Sequence, residues 1–251
     1  IQGAFLKGAR EVIFYGPGIV AADITELPDL PYRINLAHGN YIEEQISCRF
    51  TIAPDCPPGE HAFRIRTATE ITGVGTFHVP PFPVTDDADG DGGGGQNDTL
   101  ETAQAVQPDV TIRGRIVNKW PDVDIYRVPA KAGQRLSVEV EAVWIADRHY
   151  AGSEYDLAVR ILDERGRVLA ANDDNPLHVQ DPLVATKLPH DGVAFVEVRQ
   201  SVYDTYPCPY VLHIGTNHRP LAAYPPGGPS GTSQAIRLLG DPLGDYDDTV
   251  A

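Results

Sequence analysis

The chain has 251 residues, enough for one large domain or two of ordinary size, and its 42% hydrophobic content supports a packed core. With 35 acidic against 20 basic residues the formal charge is −15, which repels phosphate backbones and argues against a nucleic-acid partner, while suiting hard divalent cations. No apolar run reaches the ~18 residues of a membrane-spanning helix.

The 24 glycines and 22 prolines are scattered as turn punctuation, a pattern of many short strands rather than long helices. Ile1 opens in mid-strand, without an initiator methionine or leader, which predicts a mature or trimmed product. In residues 1–80, "AREVIFYGPGIVAADI" gives two apolar runs split by Gly16-Pro17-Gly18. Ile46, Cys48, Phe50 and Ile52 then alternate with Ser47, Arg49 and Thr51. After a turn over Pro54 to Gly59, Ala62, Phe63 and Ile65 carry a return strand, so a hairpin with one buried face is expected within a small β-sandwich.

Residues 81–96 are expected to be a linker. "VPPFPV" lacks the ladder donors of a central strand, and the Gly/Asp-rich run behind it has nothing to bury. Residues 97–216 form a second block that opens on "NDTLETAQAV". That segment is expected to make a short helical turn capped by Asn97 or Asp98, with Glu101 completing a capping box. Alternating runs follow, such as Leu136, Val138 and Val140 against Ser137, Glu139 and Glu141. Turns fall at Lys131 to Gly133, Asp163 to Gly166 and His190 to Gly192, and the pattern is that of a sandwich or jelly roll. Residues 217–251 contain one expected strand, Ser233 to Leu239, and read as the start of a further β domain or as a tail packed on its neighbour. The three cysteines, Cys48, Cys56 and Cys208, make no disulfide framework. Cys48 and Cys56 could pair across "CRFTIAPDC", or all three could stay as thiols.

The second block resembles the bacterial pre-peptidase C-terminal domain family. The resemblance rests on "NDTLETAQAV", "DVDIYRVPAKAGQRLSVEVEA", "DLAVRILDERGRVLAANDDN" and "HDGVAFVEVRQ" followed by "YVLHIG", in the family's order. It is closest in character to versions from secreted multidomain proteins of planctomycete-type bacteria, in which an immunoglobulin-like module precedes the domain. "LKGAREVIFYGPGI" through "GVGTFHV" is similar to that module. The resemblance implies an all-β chain of two antiparallel β-sandwiches, immunoglobulin-like then jelly-roll-like. It also implies a secreted or cell-surface location, with the periplasm as an alternative, and no catalytic role. In relatives from secreted collagenases it implies calcium held by acidic residues where the domain begins, and a fibrous substrate held by surface aromatics. The glutamate that usually precedes the Asn-Asp pair is missing, since this chain reads Gly95-Gln96-Asn97-Asp98, while Asp122 and Asp124 of "DVDIY" keep the rest of the pattern.

Without the family, "DADGDG" presents Asp87, Asp89 and Asp91 at alternate positions before Gly92, the first half of an EF-hand loop. Position twelve falls on Asp98 rather than Glu, position eight is Gly94, and no helices flank the run, so an EF-hand is rejected. Two readings stay open: a solvated Gly/Asp tether, or a looser calcium site in which Asp87, Asp89, Asp91, Asn97 and Asp98 join Asp122 and Asp124. A second acidic run, Asn172, Asp173, Asp174, Asn175 and Asp181, reads as a self-satisfied turn.

No nucleophile-elbow, zincin or P-loop pattern occurs, and His178 and His190 sit in expected turns without a nucleophile partner. Trp144, Tyr150 and Tyr155, then Tyr203, Tyr206 and Tyr210, are candidates for a protein- or glycan-binding surface, or for core filling. The expected function is therefore a non-enzymatic module for adhesion, assembly or substrate targeting in a larger extracellular protein. The alternative is an accessory or C-terminal processing segment of a secreted peptidase or other hydrolase. The expected partners are other domains or chains of that assembly, or a polymeric protein or glycan.

Overall fold

A computed structural model describes the chain apart from residues 32–33, 36–40, 90–94, 118–121, 144–155, 176–179, 202–207 and 251. The chain divides into two units, Ile1–Pro81 and Phe82–Ala251, and the regular structure of the described residues is all β.

The first unit holds β1 (Gln2–Gly3), β2 (Glu11–Phe14), β3 (Ile19–Leu27), β4 (Ile34–Asn35), β5 (Tyr41–Ile42), β6 (Glu44–Ile52), β7 (Gly59–Arg66) and β8 (Gly75–Val79). Two three-stranded sheets, β1-β6-β3 and β2-β7-β8, make a sandwich, and β4 pairs with β5 in a ribbon. Ile46 and Phe50 of the first sheet meet Phe14, Phe63 and Phe77 of the second. The rings pack edge to face, with centroids 4.9 Å apart for Phe14–Phe50 and 5.0 Å for Phe50–Phe77.

The expected hairpin does not form. β6 bonds to β1 and β3 while β7 bonds to β2 and β8, so the Pro54–Gly59 turn carries the chain from one sheet to the other. Either arrangement buries one face of each strand, so alternation alone does not separate them. The Cys48–Cys56 pairing is not made either, and none of the three cysteines is in a disulfide.

The second unit begins with β9 (Val84–Asp86) and β10 (Gln104–Ala105), followed by eight longer strands. These are β11 (Val110–Ile116), β12 (Val123–Ala130), β13 (Arg135–Glu141), β14 (Leu157–Leu162), β15 (Val168–Asn172), β16 (Leu183–Lys187), β17 (Gly192–Gln200) and β18 (Cys208–Gly215). Two five-stranded sheets result, β10-β12-β17-β14-β15 and β16-β13-β18-β11-β9. The first of the eight pairs with the last, the second with the seventh, the third with the sixth and the fourth with the fifth, all antiparallel. That nesting is the jelly-roll topology. Leu136, Val138 and Val140 meet Val128, Val159, Val196 and Leu212 in its core. Gly133, Gly166 and Gly192, at the three expected turns, have φ of +77°, +75° and +135°, conformations that glycine adopts without steric cost.

Two expectations about the start of this unit are corrected. Residues 81–96 are not a linker throughout, because β9 pairs in parallel with β11, and Thr111 N–H donates to Pro83 O at 2.9 Å. An edge strand tolerates this proline-rich stretch because only one side of it is hydrogen-bonded. The helical turn is absent as well: 99–102 is a simple turn closed by Thr102 N–H on Thr99 O at 3.2 Å, and Glu101 is exposed.

Residues 217–251 form a third sheet of β19 (Ala222–Tyr224), β20 (Gln234–Leu239) and β21 (Tyr246–Val250), in the order β19-β20-β21. This tail packs on the jelly roll through Asp241. Its carboxylate accepts Arg135 Nη2 of β13 at 2.6 and 2.7 Å, and the N–H groups of Arg219 and Leu243 at 2.9 Å. Burial alone would raise this carboxyl, but the bonds from Arg135, Leu243 and Arg219 hold it below the usual range. Asp241→Ala leaves the half-buried Arg135 without its counter-ion. We expect the amides of β20 in that variant to exchange well before those of β13, measured by hydrogen–deuterium exchange. Equal protection in variant and wild type would rule out Asp241 as the anchor.

Candidate cation site

The acidic residues meet where the jelly roll of the second unit begins. β9 pairs with β11 at one edge, and the pairing continues as Asp87 N–H donates to Arg113 O at 3.0 Å, which sends Asp87 inward, 6% exposed. The returning segment is pinned by Ile125 N–H on Asn97 O at 3.0 Å, so Asn97 is fully buried beside β12. On β12, Asp124, Tyr126 and Val128 occupy alternate, core-facing positions, and Asp124 has no exposed surface. Asp122 precedes the strand, 8% exposed, and receives Val117 N–H from the end of β11. Asp89 is held by Gly95 N–H at 3.0 Å and Gln96 N–H at 2.8 Å.

One carboxylate oxygen from each of Asp87, Asp89 and Asp124 lies within 4.8 Å of the others, and the same holds for Asp89, Asp98 and Asp122. Six of the seven sequence candidates, Asp87, Asp89, Asn97, Asp98, Asp122 and Asp124, therefore take part in one cluster, Asn97 through its 3.0 Å bond to Asp87. Asp91 lies outside the described residues, as do Trp144, Tyr150, Tyr155, Tyr203 and Tyr206. Of the aromatic candidates only Tyr210 is described, and it fills the core, 1% exposed.

Electrostatically the cluster is incomplete. No lysine or arginine among the described residues pairs with Asp87, Asp89, Asp122 or Asp124. Buried Asp87 Oδ2, Asp122 Oδ1, Asp124 Oδ1 and the amide oxygen of Asn97 accept no hydrogen bond. Burial, with the neighbouring carboxylates adding to it, pushes Asp122 up to about 6 and Asp124 up to about 9, and burial also raises Asp87. Groups left like this cost free energy unless something positive sits among them. The donors are all hard oxygens, with no thiolate or imidazole, which is the ligand set of calcium rather than zinc or copper. Asp87, Asp89, Asp98, Asp122, Asp124 and the Asn97 carbonyl would hold the ion, which would supply the missing counter-charge.

Two residues behind the carboxylates are not evident from the sequence. Tyr126 hydroxyl donates to Asp87 Oδ1 at 3.0 Å, Tyr210 hydroxyl donates to Asp124 Oδ2 at 2.5 Å, and the two hydroxyls are 2.5 Å apart. The available signal was Asp124 itself, an acid in the core-facing register of "VDIYRV". Gly114 of β11 lies opposite Tyr210, where a Cβ would come within 2.4 Å of its ring. Gly114→Ala should accordingly cost about 1–3 kcal/mol by overpacking. Urea unfolding of the second unit measures it, and an unchanged midpoint would mean the ring moves aside freely.

The second acidic run bonds partly within itself and partly to other strands. Asp174 N–H donates to Asn172 Oδ1 at 2.8 Å, and Asp181 Oδ1 accepts the N–H groups of Ala142 and Val143 at 2.9 Å.

Fold and cluster together define a jelly-roll β-sandwich with a candidate cation site at its leading edge. The chain matches no protein-family model. Over 103 residues, 41% of its length, it is 34% identical to a probable subtilase-type serine protease of Deinococcus radiodurans, and it spans 13% of that protein. Among solved structures it is similar to the pre-peptidase C-terminal domain of collagenase from Bacillus anthracis. The identity there is 17%, over 47% of this chain and 99% of that one, with a TM-score of 0.34. It is also similar to PliG of Aeromonas hydrophila, a periplasmic inhibitor of g-type lysozyme. Here the identity is 16%, over 45% of this chain and 96% of that one, with a TM-score of 0.32.

Proposed function

We propose that this chain is a calcium-stabilised, non-catalytic part of a secreted or periplasmic protein: an immunoglobulin-like sandwich followed by a pre-peptidase C-terminal-like sandwich. Its role is adhesion, assembly or substrate targeting, with other domains, a polymeric protein or a glycan as the partner. The observation that carries the cation reading is the clustering of the buried Asp87, Asp89, Asp122 and Asp124 carboxylates, with no lysine or arginine on these four among the described residues and with buried oxygens on Asp87, Asp122, Asp124 and Asn97 that accept no hydrogen bond. Support for an exported setting comes from the sequence likeness to a subtilase-type protease. No helix of the described residues is long and apolar enough to cross a membrane.

Calorimetric titration of calcium into the chelator-stripped chain tests the site. Saturable uptake is expected, and no heat and no uptake would end the reading. Turnover of any peptide or glycan by the purified chain would overturn the non-catalytic part.

The protease likeness favours a second reading, an accessory or processing segment of a secreted peptidase. A serine-protease domain in the same reading frame would select it.

A further inference from the structure

The carboxylates of the cluster are held from behind, one oxygen at a time. Asp122 Oδ2 takes Val117 N–H, while Asp87 Oδ1 takes Asn97 Nδ2 and Tyr126 hydroxyl, both at 3.0 Å. Asp124 Oδ2 takes Tyr210 hydroxyl at 2.5 Å. The opposite oxygen of each, Asp87 Oδ2, Asp122 Oδ1 and Asp124 Oδ1, is buried and accepts no hydrogen bond. Each of these carboxylates therefore has one oxygen engaged by the protein and one that is not.

The tyrosine bonds cross between the sheets. Asp87 follows β9, in the same sheet as Tyr210 on β18, whereas Asp124 and Tyr126 share β12 of the opposite sheet. Each tyrosine thus holds the carboxylate that belongs to the other sheet, and the two hydroxyls touch at 2.5 Å. Both rings are immobilised in the core, at 0% and 1% exposure, and Gly114 makes room for the second. The span between Asp87 and Asp124 is therefore tied to rigidly packed rings, not to flexible loops.

We propose that the Tyr126–Tyr210 pair positions Asp87 and Asp124 at a fixed span that favours calcium over magnesium; this rests on the cation reading above. Calcium accepts ~6–8 oxygens at about 2.3–2.6 Å in adaptable geometry, whereas magnesium demands near-octahedral contacts at about 2.0–2.1 Å. A bite fixed by packed rings does not contract around the smaller ion. Without the hydroxyls, Asp87 and Asp124 can turn, present both oxygens, or close on a smaller ion. Partners behind metal ligands commonly govern affinity in this way.

The test is titration of calcium chloride and of magnesium chloride into the chelator-stripped full chain, for wild type, Tyr126→Phe, Tyr210→Phe and the double variant. Each single change is expected to weaken calcium by about 10–100-fold. Magnesium should weaken less, so the calcium-to-magnesium ratio falls. The double variant should lose less than the product of the singles, because the two hydroxyls act as one connected unit. Near-ultraviolet circular dichroism in excess chelator checks that each variant is folded. Should one not fold, the other decides, and Gly114→Ala, which crowds Tyr210 without removing its hydroxyl, is expected to lower the ratio in the same sense. Wild type that takes up no calcium overturns the cation reading itself. Wild-type binding that both phenylalanine variants share, with an unchanged ratio, overturns the positioning role alone.

Discussion

Calcium at a hundredfold excess over its dissociation constant is expected to stabilise the second unit by about 2.7 kcal/mol relative to the same protein in chelator. For a unit of this size that is a rise in melting temperature of about 5–10 °C. The effect comes from both ends of the equilibrium. Without an ion the folded chain confines Asp87, Asp89, Asp122 and Asp124, all nearly or fully buried, beside one another. The unfolded chain disperses and hydrates them, so calcium restores a balance that folding disturbs and gains little from the unfolded state. Calorimetry follows the shift, and the first unit, whose core contributes nothing to the cluster, serves as the internal reference. An Asp124→Asn variant should behave in the opposite sense. It keeps an acceptor for Tyr210 and cannot ionise, so in chelator above about pH 9, where Asp124 itself carries a charge, it should melt above wild type, and it should lose most of the response to calcium. A calcium-insensitive midpoint in wild type, or an Asp124→Asn variant that melts lower than wild type in chelator above about pH 9, would rule the account out.

The strands were legible as short apolar or alternating runs bounded by turn residues. β12, β13, β14, β17 and β18 lie on such runs, yet alternation did not report burial: β13 and β14 are covered on both faces, with Ser137 and Glu139 each 2% exposed. Which sheet a strand joins is not written there. Ile46 and Phe63 face the same core from opposite sheets, and a hairpin would have buried the same side chains. Val84 to Asp86 escaped notice for a different reason: an edge strand needs one row of bonds, so the surrounding prolines were weaker evidence against it than in a central strand. For the site, residue type was readable and proximity was not. Asp87 looked like part of a tether because its place depends on Arg113 of β11, 26 positions onward, and Asp89 because only the bonds from Gly95 and Gln96 show it turned back on the chain. Tyr210 looked like a core or surface aromatic and Tyr126 carried no signal of its own, and only their hydroxyl contact, 84 residues apart in sequence, shows a further role.

Affinity for calcium should fall about a hundredfold between pH 8.5 and pH 6.5, because an ion can enter only as the cluster gives up its proton. In the ion-free chain Asp124 is raised from 3.8 to about 9 and Asp122 from 3.8 to about 6, so across this window close to one proton is bound by the folded site. The two steps belong to the cluster as a coupled unit, with Asp87 and the tyrosine hydroxyls sharing the proton along the chain of short contacts. Losing one proton per ion makes the dissociation constant change about tenfold per pH unit, and below pH 6 a second proton steepens the dependence. Stability in chelator runs the other way. Both carboxyls have folded-state values above their unfolded ones, so between them the folded chain holds more protons than the unfolded chain. Their contribution is complete below about pH 3.8 and is lost as pH rises through about 6 and then about 9. The melting temperature in chelator should therefore decline from pH 5 to pH 9, while the increment from calcium grows. Titrations in two buffers of different ionisation enthalpy read the released proton directly, and a proton count near zero at pH 7.5 would show that the cluster is already ionised before the cation arrives.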